Sequence, residues 1–286
     1  MKENVKKSKD SKSTKNRVLM LTESAVMIAF ATVLSVIKIV DMPYGGSVTA
    51  CSMLPLLIIA YRYGTKWGLL TSFTYGVLQM FLGMDNLTYA TSFWAAISIV
   101  LLDYLLAFVV LGLGGIFRKI TKTQGQAICF AAVVTGILRY LCHTVSGCTV
   151  WAGMTVPTKD ALIYSLSYNL TYMLPEIIVL AVGAGLISRL LDFSQTDIKR
   201  IVVRKSSSVV SVVLSAVADV ALVVAVIVAI VFIAPHLQAE DGTFLLKGIL
   251  FVNWTPVLIT LGCGVVVFAV LFAISNIIKK KQATKE

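Results

Sequence analysis

Apolar residues in this chain come in runs too long for strands and too closely spaced for separate soluble domains. Eight runs lie at about 19–40, 48–61, 66–83, 92–116, 126–147, 160–188, 208–234 and 249–277. A helix rises about 1.5 Å per residue, so roughly 20 apolar residues cross the ~30 Å hydrocarbon core of a bilayer. Strands of an outer-membrane barrel would instead alternate apolar and polar positions over ~10-residue segments. The pattern predicts eight transmembrane helices. The second run is short and opens in Gly/Ser/Thr-rich sequence, which predicts an outer end that is irregular or enclosed by protein. The first run follows a basic stretch and is not succeeded by a small-x-small cleavage site, so it reads as a retained helix and not as a signal peptide.

Polarity between the runs divides the chain. Residues 189–207 are the longest polar stretch after the N-terminus, and they separate six runs from a final pair rich in Val, Ala, Leu and Ile. The expected organisation is a basic tail at 1–18, a six-helix membrane domain at 19–190, a polar linker at 191–207, an appended transmembrane hairpin at 208–280 and a tail at 281–286. No repeat relates the two halves, which weighs against an inverted-repeat transporter.

Composition agrees with an all-α integral membrane protein. The 286 residues are 58% hydrophobic and only 14% charged, with a mean hydropathy of +0.88, whereas soluble domains carry roughly 25% charged residues. A water-soluble enzyme is excluded. The net charge of +11 is no sign of nucleic-acid binding, because the basic residues cluster at the ends of apolar runs without interleaved aromatics. With a cytoplasmic N-terminus, 21 of the 25 Lys and Arg residues fall in inner segments. Asp41, Asp85, Asp160, Glu240 and Asp241 then fall in outer loops. Basic residues flank transmembrane helices on the cytoplasmic side, so a plasma-membrane protein with both termini inside is expected. The five cysteines (Cys51, Cys129, Cys142, Cys148 and Cys263) have no CxxC spacing. Neither a metal site nor a disulfide framework is read from them, although Cys142 and Cys148 are placed to approach each other near one surface.

Charged residues inside a bilayer cost about 2.5–3.5 kcal/mol at a helix centre on insertion scales, so each is a candidate for function. They are Lys38, Asp103, Arg139, Glu176 and Asp219. Lys38 falls near the outer end of its run and can snorkel to the interface. Asp103 has two readings: a buried ion pair with Arg139 that ties two helices together, or a carboxylate that meets a cationic ligand. Tyr104, Tyr140, His143, Trp151, Tyr164, Tyr168 and Asn169 fall at the same depth on three successive helices. A carboxylate among aromatic faces suits a cationic heteroaromatic ring, held by charge, cation–π contact and stacking. Glu176 and Asp219 are open to two roles, a proton relay or a helix-packing hydrogen bond. Ala25 and Ala29 form a small-xxx-small pattern that permits close helix approach, either within this protein or to another subunit. There is no GxxxxGK[ST], HExxH or GxSxG motif. A membrane enzyme therefore has little to work with, and any ATP dependence must come from partner chains.

Residues 20–190 resemble the thiamine-specific substrate-binding subunit, or S-component, of energy-coupling factor (ECF) transporters. Leu102-Asp103-Tyr104-Leu105-Leu106-Ala107-Phe108 resembles that family's Glu-Tyr-Pro-Leu-Ala-Phe stretch. Arg139-Tyr140-Leu141-Cys142-His143 follows, with Gly147 and Trp151 four and eight residues after the histidine. Tyr164-Ser165-Leu166, with Asn169 five residues after the tyrosine, completes the pattern. The resemblance implies a six-helix fold whose outward cavity binds thiamine through Asp103, Tyr104, His143, Gly147, Trp151, Tyr164 and Asn169. It also implies that Ala25 and Ala29 dock on a transmembrane coupling subunit that carries two ATPases, with no cofactor. In this chain Asp103 stands where the family has a glutamate, Tyr44 or Gly46 occupies the region of a family tryptophan, and the final two helices are additional. Thiamine ranks first as substrate, a thiamine precursor or related pyrimidine second, and another small cation third. A solitary ion-coupled secondary transporter is the competing class.

Overall fold

The computed structural model describes residues 2–42, 45–90, 92–151, 159–194, 198–200, 209–238 and 244–283. Its helices follow the apolar runs: α1 (Lys2–Val36), α2 (Leu54–Tyr63), α3 (Thr65–Leu82), α4 (Phe93–Ile120), α5 (Gln124–Trp151), α6 (Lys159–Leu190), α7 (Val209–Ile233) and α8 (Trp254–Ala283). The protein is an all-α integral membrane protein. Among the described residues six helices are long and apolar enough to cross a membrane, namely α1, α4, α5, α6, α7 and α8.

The second and third runs depart from the predicted spans. The 10 residues of α2 make only about 15 Å of helix. All of Pro55–Arg62 is buried, as expected for a helix apolar on every side. Pro55 falls in its first turn, where a missing N–H and a fixed φ suit helix initiation. The 18 residues of α3 are more polar, and Thr71 and Ser72 are buried. The two helices fold back on each other about Gly64, which has a φ of 86°, and Gly68 lies against Ala60.

A β-hairpin fills the space that the short α2 leaves. Helix α1 stops at Val36, and β1 (Lys38–Asp41) pairs antiparallel with β2 (Ser47–Thr49). Lys38 is therefore not on a helix. It lies on β1 and pairs with Asp41 at 3.0 Å, and both are exposed, where such a pair contributes little. A second two-stranded ladder, β3 (Leu191–Asp192) with β4 (Lys199–Arg200), lies beyond α6.

The core is built on α2. Met53, Leu56, Leu57 and Ile59 are fully buried, as are Tyr75 of α3, Leu111 of α4, Ile128 of α5 and Leu180 of α6. Helix α4 reaches this core by close backbone contact. A Cβ on Gly112 would collide with the backbone of Leu69 in α3, so only glycine allows that approach. At the end opposite the β1–β2 hairpin, Arg62 makes a bidentate pair with Glu23, both bonds 2.8 Å, and donates to the Phe193 carbonyl at 3.0 Å.

The final pair packs together along its length. Ser275 Oγ donates to the Ser211 carbonyl at 2.6 Å, and Gly264 abuts Ala225. Without water, helix association in a membrane depends on such close packing and polar contacts. Helix α7 lies on α6, and Arg189 Nη1 donates to Asp219 Oδ2 at 2.6 Å. Asp219, with no partner evident in the sequence, thus joins the appended pair to the six-helix body.

Candidate functional site

A cavity of about 510 Å³ opens at the end of the bundle that carries the β1–β2 hairpin. Its walls come from that hairpin, the end of α3 and the turn after it, and the facing sides of α4, α5 and α6. Two of these walls are ladders of helical spacing: Arg139, His143 and Gly147 on α5, and Tyr168, Tyr172 and Glu176 on α6. Side chains four residues apart share a helix face.

Local winding presents Asp103. Residues Ile99–Leu106 of α4 form a π-helical stretch, a wide winding that is rare within α-helices and frequent at functional sites where it occurs. Asp103 Oδ1 lies 2.8 Å from His143 Nδ1, and Asp103 Oδ2 accepts from Ser146 Oγ at 2.6 Å. His143 Nε2 lies 3.4 Å from Arg139 Nη2. An imidazole that donates Nδ1–H to Asp103 leaves Nε2 to accept from Arg139. The direct Asp103–Arg139 ion pair considered from sequence is not formed, because His143 stands between them.

Arg139 is buried. Its guanidinium lies 4.5 Å from the Phe108 ring centroid, and Nη1 contacts the Met53 sulfur. Its Nε has no hydrogen-bond partner among the described residues. Facing it in the cavity lining is Glu176, which accepts from the Thr49 N–H and the Thr49 hydroxyl, each at 2.6 Å. Glu176 therefore fastens α6 to β2, and the sequence left this residue between packing and proton transfer.

The other predicted residues divide. Tyr104 donates to the Gly83 carbonyl and accepts from Asn86 Nδ2, both at 2.7 Å, which pins its ring to the turn after α3. The Asn169 amide donates to the Ser165 carbonyl at 2.8 Å and accepts from the Tyr172 hydroxyl at 2.6 Å. A Cβ on Gly147 would run into Ser165 Oγ, so glycine here lets α5 and α6 close around the site. Asp103, Tyr104, His143, Gly147 and Asn169 all line the cavity. Tyr164 does not; its hydroxyl donates to the Phe244 carbonyl at 2.9 Å. Trp151 ends α5, but its side chain and Tyr44 lie outside the described residues. Ala25 and Ala29 are exposed on α1, beside exposed Val26 and Phe30, and are not packed inside this protein. Cys142 and Cys148 are free thiols.

Sequence reasoning missed several lining residues. Tyr172 was within its reach, four residues from Tyr168 and from Glu176. Gln79 and Asn86 come from a helix end and the turn after it, where no periodic signal marks a wall; Gly46, singled out with Tyr44 by the family resemblance alone, lines the cavity.

The cavity thus joins a hydrogen-bonded carboxylate, a buried guanidinium and aromatic edges, a set suited to a small polar heteroaromatic ligand. Residues 21–194 match the family described as thiamine transporter protein. The chain is also 33% identical over 177 residues to the thiamine transporter ThiT of Bacillus subtilis (strain 168), covering 58% of this chain and 88% of that protein. Residues 195–286, with the whole of α7 and α8, lie beyond the family match. With the match spanning more than half of its length, the chain belongs to the thiamine transporter protein family.

Proposed function

We propose that this protein is the membrane subunit that captures thiamine for uptake into the cell, and that it binds the vitamin in the cavity around Asp103. The single observation that carries this reading is a carboxylate held between His143 and Ser146 on the wall of a cavity lined by Tyr104, Tyr168 and Tyr172. The thiazolium ring of thiamine carries a permanent positive charge, and its aminopyrimidine offers donors and a ring nitrogen. Asp103 can serve either ring, while Asn169 and the tyrosines orient and stack the ligand. Of the residues that the family resemblance implies, Tyr164 stands behind this wall on the Phe244 carbonyl and does not line the cavity.

In this reading the protein is a binding subunit and not an enzyme. Rapid uptake depends on a transmembrane coupling subunit and two ATPase subunits, reached through the Ala25/Ala29 face of α1. The protein sits in the plasma membrane with both termini cytoplasmic, so that the hairpin end and its cavity face outward. The six-helix domain at 19–190 holds the site, and the polar linker and appended hairpin follow it.

The test has two parts. Purified protein is titrated with thiamine and, in competition, with its pyrimidine and thiazole halves. Uptake is then measured in cells with and without co-expressed coupling and ATPase subunits. Tight thiamine binding with uptake only in the full assembly is expected. Uptake by the protein alone at the full rate would establish the solitary transporter instead.

A further inference from the structure

The appended pair meets the back of the cavity wall in an apolar cluster that holds Leu237 and Phe244 together with Tyr168 and Tyr172. Phe244, in the segment joining α7 to α8, is 4% exposed. Its ring meets Tyr164 edge-on at 5.2 Å and Tyr168 edge-on at 5.1 Å. Its carbonyl accepts the Tyr164 hydroxyl. Phe244 is itself held by an antiparallel bridge to Gln238 and by the bond from Leu245 N to the Leu237 carbonyl at 2.8 Å.

Tyr168 passes this support to the hairpin. Its hydroxyl accepts from the Gly46 N–H at 3.1 Å, and its ring packs edge-on against Tyr172 at 5.5 Å. Met42 and Val48 of the hairpin region are buried in the same apolar cluster as Leu237 and Phe244. Gly46 and Ser47 line the cavity, so the hairpin is part of the site. Glu176 holds its inner side through Thr49, and the α7–α8 segment backs its outer side. The Arg189–Asp219 pair ties the middle of α7 to the end of α6, a second and separate point of attachment.

We propose that the segment joining α7 and α8 is a buttress for the binding site: Phe244 positions Tyr168, and through it the β1–β2 hairpin, so that the two helices outside the family match set how long the substrate stays bound. This rests on the reading of the cavity as the substrate site. Phe244 touches no cavity space itself and acts as a positioning residue through Tyr168. Its effect falls on release more than on capture, because most differences among variants of one binding site lie in the dissociation rate.

The experiment uses the full-length protein in lipid nanodiscs with radiolabelled thiamine as the probe. Phe244→Ala is expected to raise the dissociation rate roughly three- to tenfold while changing the association rate less than about twofold. Tyr168→Phe, which removes the hydroxyl that Gly46 meets, should act similarly. The double variant should fall short of the product of the two effects, because both cut one chain of contacts. Val266→Ala, on the exposed face of α8, should change nothing. In parallel, hydrogen exchange of the ligand-free protein should be faster across residues 46–49 in Phe244→Ala. Wild-type release and wild-type exchange in Phe244→Ala would overturn the proposal, as would fully multiplicative effects in the double variant. If Phe244→Ala fails to fold, Tyr164→Phe, which removes the bond to the Phe244 carbonyl, takes its place under the same criteria. If the wild-type protein binds no thiamine, the thiamine reading fails, and the exchange measurement alone decides whether the buttress exists.

Discussion

His143 stands 2.8 Å from Asp103 on one side and 3.4 Å from Arg139 on the other. It therefore spaces a buried cation from a carboxylate that would otherwise neutralise it. Removing the imidazole deprives Asp103 of one of its two donors and opens a path for Arg139 to reach it. His143→Ala should weaken thiamine binding by about 1–3 kcal/mol, the usual cost of leaving a buried partner unsatisfied. That is roughly 5- to 150-fold in affinity, measured by calorimetry. An unchanged affinity would take His143 out of the site.

Docking is tested on α1. Ala25 and Ala29 are exposed, and the cavity is lined from other elements and only the far end of α1, at Ser35 and Val36. Replacing both alanines by Leu should leave thiamine binding unchanged and abolish ATP-driven uptake, since close helix approach needs small side chains. Retained uptake in the assembled transporter would move the docking face elsewhere.

What the sequence made legible followed physical signals of two kinds. Long apolar runs located the helices, and charge at membrane depth singled out Asp103, Arg139 and Glu176. Both signals depend only on the cost of placing groups in hydrocarbon. The β1–β2 hairpin left no such trace, because Ile39 and Val40 extend the apolar run of α1 beyond the point where the helix ends at Val36. Lys38 falls inside the same apolar run, yet it lies on β1. Asn86 reaches the site from the turn after α3 and Phe244 backs it from the segment before α8, and only tertiary packing brings them there. The π-helical winding at Asp103 is equally unmarked in local sequence.

Arg189 and Asp219 offer a test of how the appended pair is held. Their side chains are 35% and 8% exposed, so the pair lies between a surface bridge and a buried one. Asp219→Asn and Arg189→Gln should each lower thermal stability, and a double-mutant cycle should return a coupling of about 1–2 kcal/mol. Additive effects in that cycle would mean that the ion pair does not join α6 to α7.

Truncation after about residue 200 addresses the domain division. Asp103, Tyr104, His143, Gly147, Asn169 and Glu176 all precede it in the chain. The shortened protein should insert, fold and bind thiamine, with faster release because Phe244 is gone. A folded truncation that binds no thiamine at all would show that the six-helix unit is not self-sufficient.

The sharpest test falls on Asp103. Its carboxylate is fixed by His143 and Ser146, and its side chain remains 27% exposed toward the cavity, so it is oriented in advance yet open to a ligand. Asp103→Asn keeps the shape and removes the charge. Truncating one member of a desolvated, hydrogen-bonded charge pair costs about 2–4 kcal/mol, which corresponds to roughly 30- to 1000-fold in affinity. Asp103→Asn should therefore bind thiamine far more weakly while inserting and folding as the wild type does. Asp103→Glu, which restores the side chain of the resembling family, should keep most of the affinity, because the longer arm still presents a carboxylate to the same cavity. Equilibrium binding of radiolabelled thiamine to wild type and both variants in nanodiscs measures this directly. Near-wild-type affinity in Asp103→Asn would assign Asp103 to holding α4 against α5 through His143, and a neutral ligand would then fit the cavity as well as a cationic one.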